Sequence, residues 1–324
     1  MSSSMLESAD SRNKFEDLSG VSSAAFANPY DALIEACQND PAKLQDRYST
    51  HRVTRNGQQK EKLLSSGFSG LILDPILQRL TDASIEPGFQ DPRYCLVFWA
   101  RPPAHIRSLV DQVQQKMLSL APKLWLMPLT NLHLTALEIT HSLTEPEIIA
   151  IIAELGKLAI ESMTDYTYNH RARLIKPMIS YDGAALALSF LPAAGESLPP
   201  HATNGSDERT QEDDKFTYHH LRRDLFNIAR QTVPINSRYV VPSSHITVGR
   251  FLTQEDLDSP EKMELFIKKI EEINAWLKEE YWPKEDGKRR EDREWIVGQE
   301  KGLDFRQGAL WYGGGTTVRL GKGF

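Results

Sequence analysis

The 324-residue chain holds only two cysteines, Cys37 and Cys95. At most one disulfide is available, and two thiols in a chain of this length fit reduced, intracellular usage rather than a disulfide scaffold. No apolar run approaches the length of a membrane span. Residues 1–13 are serine-rich and carry acids, without an apolar stretch, so they read as neither a signal peptide nor a transit peptide. Positive charge is not in excess: 38 Lys and Arg stand against 44 Asp and Glu, a formal net charge of -6. A long nucleic-acid duplex is therefore a poor match, because its grip depends on neutralising many phosphates. A small anion or a single nucleic-acid end fits that charge. The expected protein is a cytoplasmic monomer with no membrane partner, with nuclear entry left open.

What the chain does have is a globular composition, 40% hydrophobic and 9% aromatic. Residues 1–27 are small and polar and read as a disordered tail. Residues 28–92 read as a partly helical arm without recognisable chemistry. It includes a charged stretch over 52–62, a solvated helix or loop, and an amphipathic one over 71–80 that should dock on the body. From residue 93 the pattern is that of a folded core. Residues 94–100 (YCLVFWA) are β-formers ended by Pro102 and Pro103. Ile106, Leu109, Val110, Val113 and Met117 recur at helical spacing. Thr144 and Glu147 form a capping box that opens a second helix. Residues 171–175, 178–181 and 184–191 read as extended, with a turn at Tyr181-Asp182-Gly183. Residues 192–214 are rich in Gly, Ser, Pro and acids and read as a mobile insert. Helices follow over 215–231 and after Pro260, and residues 308–320 read as a hairpin around Gly313-Gly314-Gly315. Strands and helices alternate on both sides of the insert, which predicts an α+β fold of two related lobes, 93–191 and 215–324.

One tripeptide occurs twice: His133-Leu134-Thr135 and His245-Ile246-Thr247. Each lies in an apolar run that reads as a strand, over 132–139 and 245–251. Side chains alternate between the faces of a strand, so histidine and threonine two residues apart share a face. Two such strands facing one another would place two imidazoles and two hydroxyls around one cavity, a set suited to proton transfer on a phosphate.

The segments Asn131-Leu132-His133-Leu134-Thr135-Ala136-Leu137 and Pro242-Ser243-Ser244-His245-Ile246-Thr247-Val248 resemble the two signatures of the two-histidine (2H) phosphoesterase superfamily, which includes 2'-5' RNA ligase-like proteins and cyclic nucleotide phosphodiesterases. The resemblance covers roughly residues 93 to 320. It implies a bilobal, pseudo-symmetric fold with two antiparallel-rich sheets flanked by helices around a central groove. It also implies phosphodiester chemistry without metal or organic cofactor, on a small nucleotide or an RNA terminus, as in RNA processing. His133 and His245 would share acid and base work, since an imidazole titrates near neutral pH. Thr135 and Thr247 would hold the phosphate oxygens. Which histidine is acid and which is base stays open, and the reverse direction, RNA ligation, would swap them. The rival expectation is a nucleotide- or RNA-end-binding module on the same fold that does not turn over.

Other side chains carry weaker expectations. Tyr239 and Tyr312 are possible groove residues, with Arg238 at the rim and Trp311 more fitted to a core role. Glu138 and Arg250 each lie five residues beyond a signature histidine, so alternation puts them on the opposite face. Ser243 and Ser244 lack the G-x-S-x-G elbow of a serine hydrolase. His141 reads as surface beyond the strand end, and His219-His220 as a solvated helix face. Gly313 to Gly315 suit a turn as well as a phosphate nest. Two histidines without further ligands at the right spacing make no zinc site.

Overall fold

The run YCLVFWA forms β1 (Tyr94–Ala100) in a computed structural model that describes residues 15–201 and 208–324. Both faces of β1 are buried. Leu96, Phe98 and Ala100 enter the main core, whereas Cys95, Val97 and Trp99 form a small separate cluster with Leu310. The second face is the one that lines a groove.

In chain order the helices are α1 (Asp31–Ala36), α2 (Pro41–Leu63), α3 (Pro75–Thr81), α4 (Ala104–Leu118), α5 (Glu145–Thr164), α6 (Tyr166–Asn169), α7 (Tyr218–Ala229) and α8 (Pro260–Tyr281). The remaining strands are β2 (Trp125–Leu126), β3 (Leu134–Leu143), β4 (Arg173–Tyr181), β5 (Ala185–Pro192), β6 (Ser244–Arg250), β7 (Trp295–Ile296), β8 (Asp304–Gly308) and β9 (Thr316–Leu320). The expected capping box at Thr144 and Glu147 opens α5, and Pro260 occupies the first turn of α8. The pieces read as extended over 171–175 and 178–181 merge, from residue 173 onward, into the single strand β4, broken in register between Ile175 and Met178.

The protein is α+β, with a curled antiparallel sheet packed by helices. Its strand order is β7-β4-β5-β6-β3-β1-β8-β9, and β2 adds to β6. The expected two sheets are thus one among the described residues. The two consecutive lobes also exchange strands. β4 and β5, from the first half, pair with β6, and the β8–β9 hairpin, from the last residues, completes the other side beside β1. Antiparallel pairing is set by which apolar edges need covering, not by nearness in sequence, and β1 is apolar on both faces. The two four-stranded groups, β7-β4-β5-β6 and β3-β1-β8-β9, meet at the pair Leu134 and Ile246, the central residues of the two tripeptides.

The arm is more integrated than its composition suggests. Asp40 caps α2 and Pro41 opens it, and the charged stretch lies on that helix. One face of α2 is buried, with Leu44, Tyr48, His51 and Arg52 turned to the body. His219 and His220, read as solvated, are buried beneath the arm. His219 Nε2 lies 2.8 Å from the Tyr30 carbonyl, its Nδ1 lies 2.9 Å from the Tyr48 hydroxyl, and His220 Nε2 lies 2.6 Å from Asn39 Oδ1. Residues 15–27, expected in a disordered tail, also lie against the body. Leu18 donates its N–H to His51 Nδ1 at 3.0 Å, and Phe15 meets Tyr239 with ring centroids 4.9 Å apart. Residues 1–14 of that tail lie outside the described residues.

The insert read over 192–214 is anchored at both ends. Arg173 holds Asp214 at 2.6 Å and Lys176 holds Glu196 at 2.7 Å. Its residues 202–207 lie outside the described residues.

Candidate active site

The registers of β3 and β6 contain the same irregularity. Between β1 and β3, Trp99 faces Thr135 and Phe98 faces Leu137, so Ala136 is an extra residue. Between β5 and β6, Ala187 faces Thr247 and Leu186 faces Gly249, so Val248 is extra. Each signature therefore carries a β-bulge one position after its threonine. A bulge shifts the alternation by one residue. Glu138 and Arg250, expected on the opposite face, return to the face of His133 and His245 for this reason.

All four signature side chains line one groove of about 520 Å³. β3 supplies His133, Thr135 and Glu138, and β6 supplies His245, Thr247 and Arg250. Trp99 from β1, Arg238 and Tyr239 before β6, and Trp311 from the β8–β9 loop complete the wall. Continuing the Leu134–Ile246 register places each histidine beside the threonine of the other signature, a local two-fold arrangement. Arg238 spans the groove edge: its Nη2 donates to Glu138 Oε1 at 2.5 Å, and its guanidinium sits 4.0 Å from the Trp311 ring centre.

His133 is held on two sides. Its ring stacks on Trp99 with centroids 3.7 Å apart and planes 14° from parallel. Its Nδ1 lies 2.8 Å from the Asn131 carbonyl oxygen, which only accepts, so Nδ1 carries the hydrogen. That leaves Nε2 as the basic nitrogen. Arg101, paired with Asp304 at 2.8 Å, donates to the Leu132 carbonyl alongside. On the other strand, His245 Nδ1 lies 2.9 Å from Ser243 Oγ. Ser243, two residues before the histidine, is thus its orienting partner. Ser244 points away and donates to the Phe190 carbonyl.

Both imidazoles are held far below the ordinary histidine range. Burial pushes His133 down to about 3, partly opposed by its bond to Asn131 and aided by Arg101, His245 and Arg306. Burial pushes His245 down to about 4, and Arg55, Arg222, His51 and Arg250 act in the same direction. Both rings are therefore neutral at pH 7.

Tyr239 lines the groove as expected. Tyr312 is directed elsewhere: its hydroxyl donates to Asp74 Oδ2 at 2.7 Å and accepts from Arg93 at 3.3 Å. Its neighbour Trp311 takes the groove position, because adjacent residues point apart. Arg250 lies 3.7 Å from the same Asp74. His141, read as surface, falls within β3 and is half-buried, with Nδ1 3.1 Å from Ser142 Oγ. The Gly313-Gly314-Gly315 run is the expected hairpin turn. Gly313, at φ 80°, lets the loop press on the residue that orients His133: a Cβ there would come within 2.5 Å of Asn131 Cβ.

Sequence reasoning missed Trp99, Glu138 and Arg250 as groove residues. The alternation of YCLVFWA carried the signal for Trp99, but nothing local announced the two bulges. Among the described residues no three His, Cys, Asp or Glu side chains come together as a metal site, and no described helix is long and apolar enough to cross a membrane. No family model matches this chain, and no curated protein matches it either.

Proposed function

We propose that the chain is a phosphodiesterase of the two-histidine type. It acts on a 2',3'-cyclic or similar phosphate, or on a 2'-5' linked nucleotide or RNA end. The observation that carries this reading is the convergence of both His-x-Thr strands on one groove, joined at Leu134 and Ile246 with all four side chains lining it. A two-lobed reading of the sheet, one signature to each four-stranded group, agrees with it.

In the hydrolytic direction one imidazole takes a proton from water as the water oxygen attacks phosphorus. The other imidazole, in its protonated form, gives its proton to the departing 2' or 3' oxygen as the P–O bond breaks. The Thr135 and Thr247 hydroxyls donate to the non-bridging oxygens, fix the phosphorus in line and stabilise the charge that gathers there. The depressed histidines fit this scheme once the ligand is considered. An anion beside an imidazole favours its charged form, so a bound phosphate restores the proton that burial removes. Binding then takes up a proton from solution and arms the general acid.

A panel of cyclic phosphates and of 2'-5' and 3'-5' oligonucleotides, with product regiochemistry read out, tests the proposal. Turnover should survive a chelator. His133→Ala and His245→Ala should each lower kcat by about 100- to 10,000-fold, the usual range for loss of a general acid or base. A kcat close to that of the wild type in either variant eliminates the reading. A second reading, a module that binds the same ligands without turning them over, is favoured by the two imidazoles that burial holds neutral, since neither then serves as an acid. Tight calorimetric binding of AMP or a cyclic phosphate with no product would select it.

A further inference from the structure

Past His245 and Thr247 the groove opens into a second chamber of about 940 Å³. Ala185, Ala187 and Ser189, at alternate positions of β5, give it a floor of small side chains. Its roof is α2, the helix of the N-terminal arm. Arg52 lies in that roof and is 4% exposed. Its Nη1 donates to the carbonyls of Lys176 at 2.8 Å and Ser189 at 3.3 Å. Its Nε and Nη2 have no hydrogen-bond partner, and among the described residues no carboxylate is paired with it. Arg55, one turn further along α2, differs in being engaged by Asp182 at 2.6 Å. Burying a guanidinium without a counter-ion is strongly unfavourable. Burial alone lowers Arg52 to about 9.

We propose that this chamber receives a second phosphate of an oligonucleotide substrate, with Arg52 as its counter-ion. The preferred substrate would then carry a phosphodiester one nucleotide away from the scissile phosphate. The inference rests on the phosphodiesterase reading and makes the arm part of the substrate site. Four features support it. The chamber shares Tyr239, His245, Thr247 and Arg250 with the catalytic groove, so a chain leaving the scissile phosphate enters it directly. Guanidinium is suited to forked contact with phosphate oxygens, and the Nε and Nη2 donors of Arg52 are unpaired, although buried, with the guanidinium 5.8 Å from the Trp282 ring centre. The Phe15 and Tyr239 rings, with centroids 4.9 Å apart, both line the chamber, and aromatic side chains are suited to stacking on a base. The acids lining the chamber are Asp182, taken by Arg55, and the exposed Glu16.

The test compares a dinucleotide ending in a 2',3'-cyclic phosphate with the matching cyclic mononucleotide, on the full chain. The wild type should favour the dinucleotide in kcat/KM by about tenfold or more, the size of one charge-assisted hydrogen bond. In Arg52→Gln, checked for folding by melting, that ratio should fall toward one, and Arg52→Lys should keep part of it. Should Arg52→Gln fail to fold, Ala187→Leu fills the chamber from its floor and should abolish the same preference. Equal efficiency of the wild type on both substrates overturns the inference and leaves the phosphodiesterase reading standing. Turnover of neither substrate overturns that reading instead. Calorimetry with adenosine 3',5'-bisphosphate and AMP then decides the chamber: tighter, Arg52-dependent binding of the bisphosphate supports it, and equal binding overturns it.

Discussion

His133 and His245 hold similar positions, but their supports differ. His133 has a fixed tautomer, because a backbone carbonyl faces its Nδ1, and a stacked indole that sets the ring plane. His245 depends on the Ser243 hydroxyl. Ser243→Ala should therefore lower kcat by about tenfold with little change in KM, as expected when the group orienting a catalytic imidazole is lost. Ser243→Thr should restore most of it. The pH dependence follows from the depressed rings. Above pH 4 the fraction of free protein with a protonated groove histidine falls as pH rises. The acid is needed, so kcat/KM should decline by about tenfold per pH unit between 5 and 8. The kcat profile should hold to higher pH, because bound phosphate raises the imidazole. A flat kcat/KM over that range would contradict the assignment.

At the scale of elements, the two bulges give the groove its polarity. Without them Glu138 and Arg250 would leave the groove and the two signatures would present only His and Thr. With them, equivalent positions carry a carboxylate on one strand and a guanidinium on the other. The β8–β9 loop acts on the same site through Gly313. In Gly313→Ala the new methyl meets Asn131 and the positive φ becomes unfavourable. Expected outcomes are a loss of stability of about 1–2 kcal/mol in denaturant melts and a fall in kcat larger than any change in KM. Unchanged kcat in a folded variant would show that the loop does not set the His133 geometry.

For the whole molecule, the arm and the core are joined by buried neutral histidines. Burial lowers His219 to about 3 and both His51 and His220 to about 4. An unfolded histidine titrates near 6.5. Between these values the unfolded chain binds more protons than the folded one. Stability contributed by these rings is therefore present above pH 6.5 and is lost as pH falls toward 4. Each ring contributes a slope of up to about 1.4 kcal/mol per pH unit in that window. The melting temperature should drop clearly between pH 7 and pH 5. Tyr48→Phe, which leaves His219 Nδ1 without its partner, should weaken the arm further by about 1–3 kcal/mol. A melting temperature unchanged down to pH 5 would refute the buried neutral state.

The amino-acid sequence by itself determined the strand of β1, the capping of α5 and α8, and the two His-x-Thr tripeptides, since each depends on residues within a few positions of one another. Period, cap chemistry and alternation are local and can be read along the chain. Only the tertiary structure decided that β4 and β5 join β6, that the final hairpin completes the sheet beside β1, and that Glu138, Arg250 and Arg52 face the groove and its chamber. Those outcomes depend on which distant edges pair and where a register slips by one residue. Pairing energy is shared between strands far apart in sequence, so no single segment records it. The charged stretch of α2 is largely solvated, as its composition reads, and only Arg52 within it is buried, because the carbonyls that hold it, those of Lys176 and Ser189, lie more than a hundred positions later.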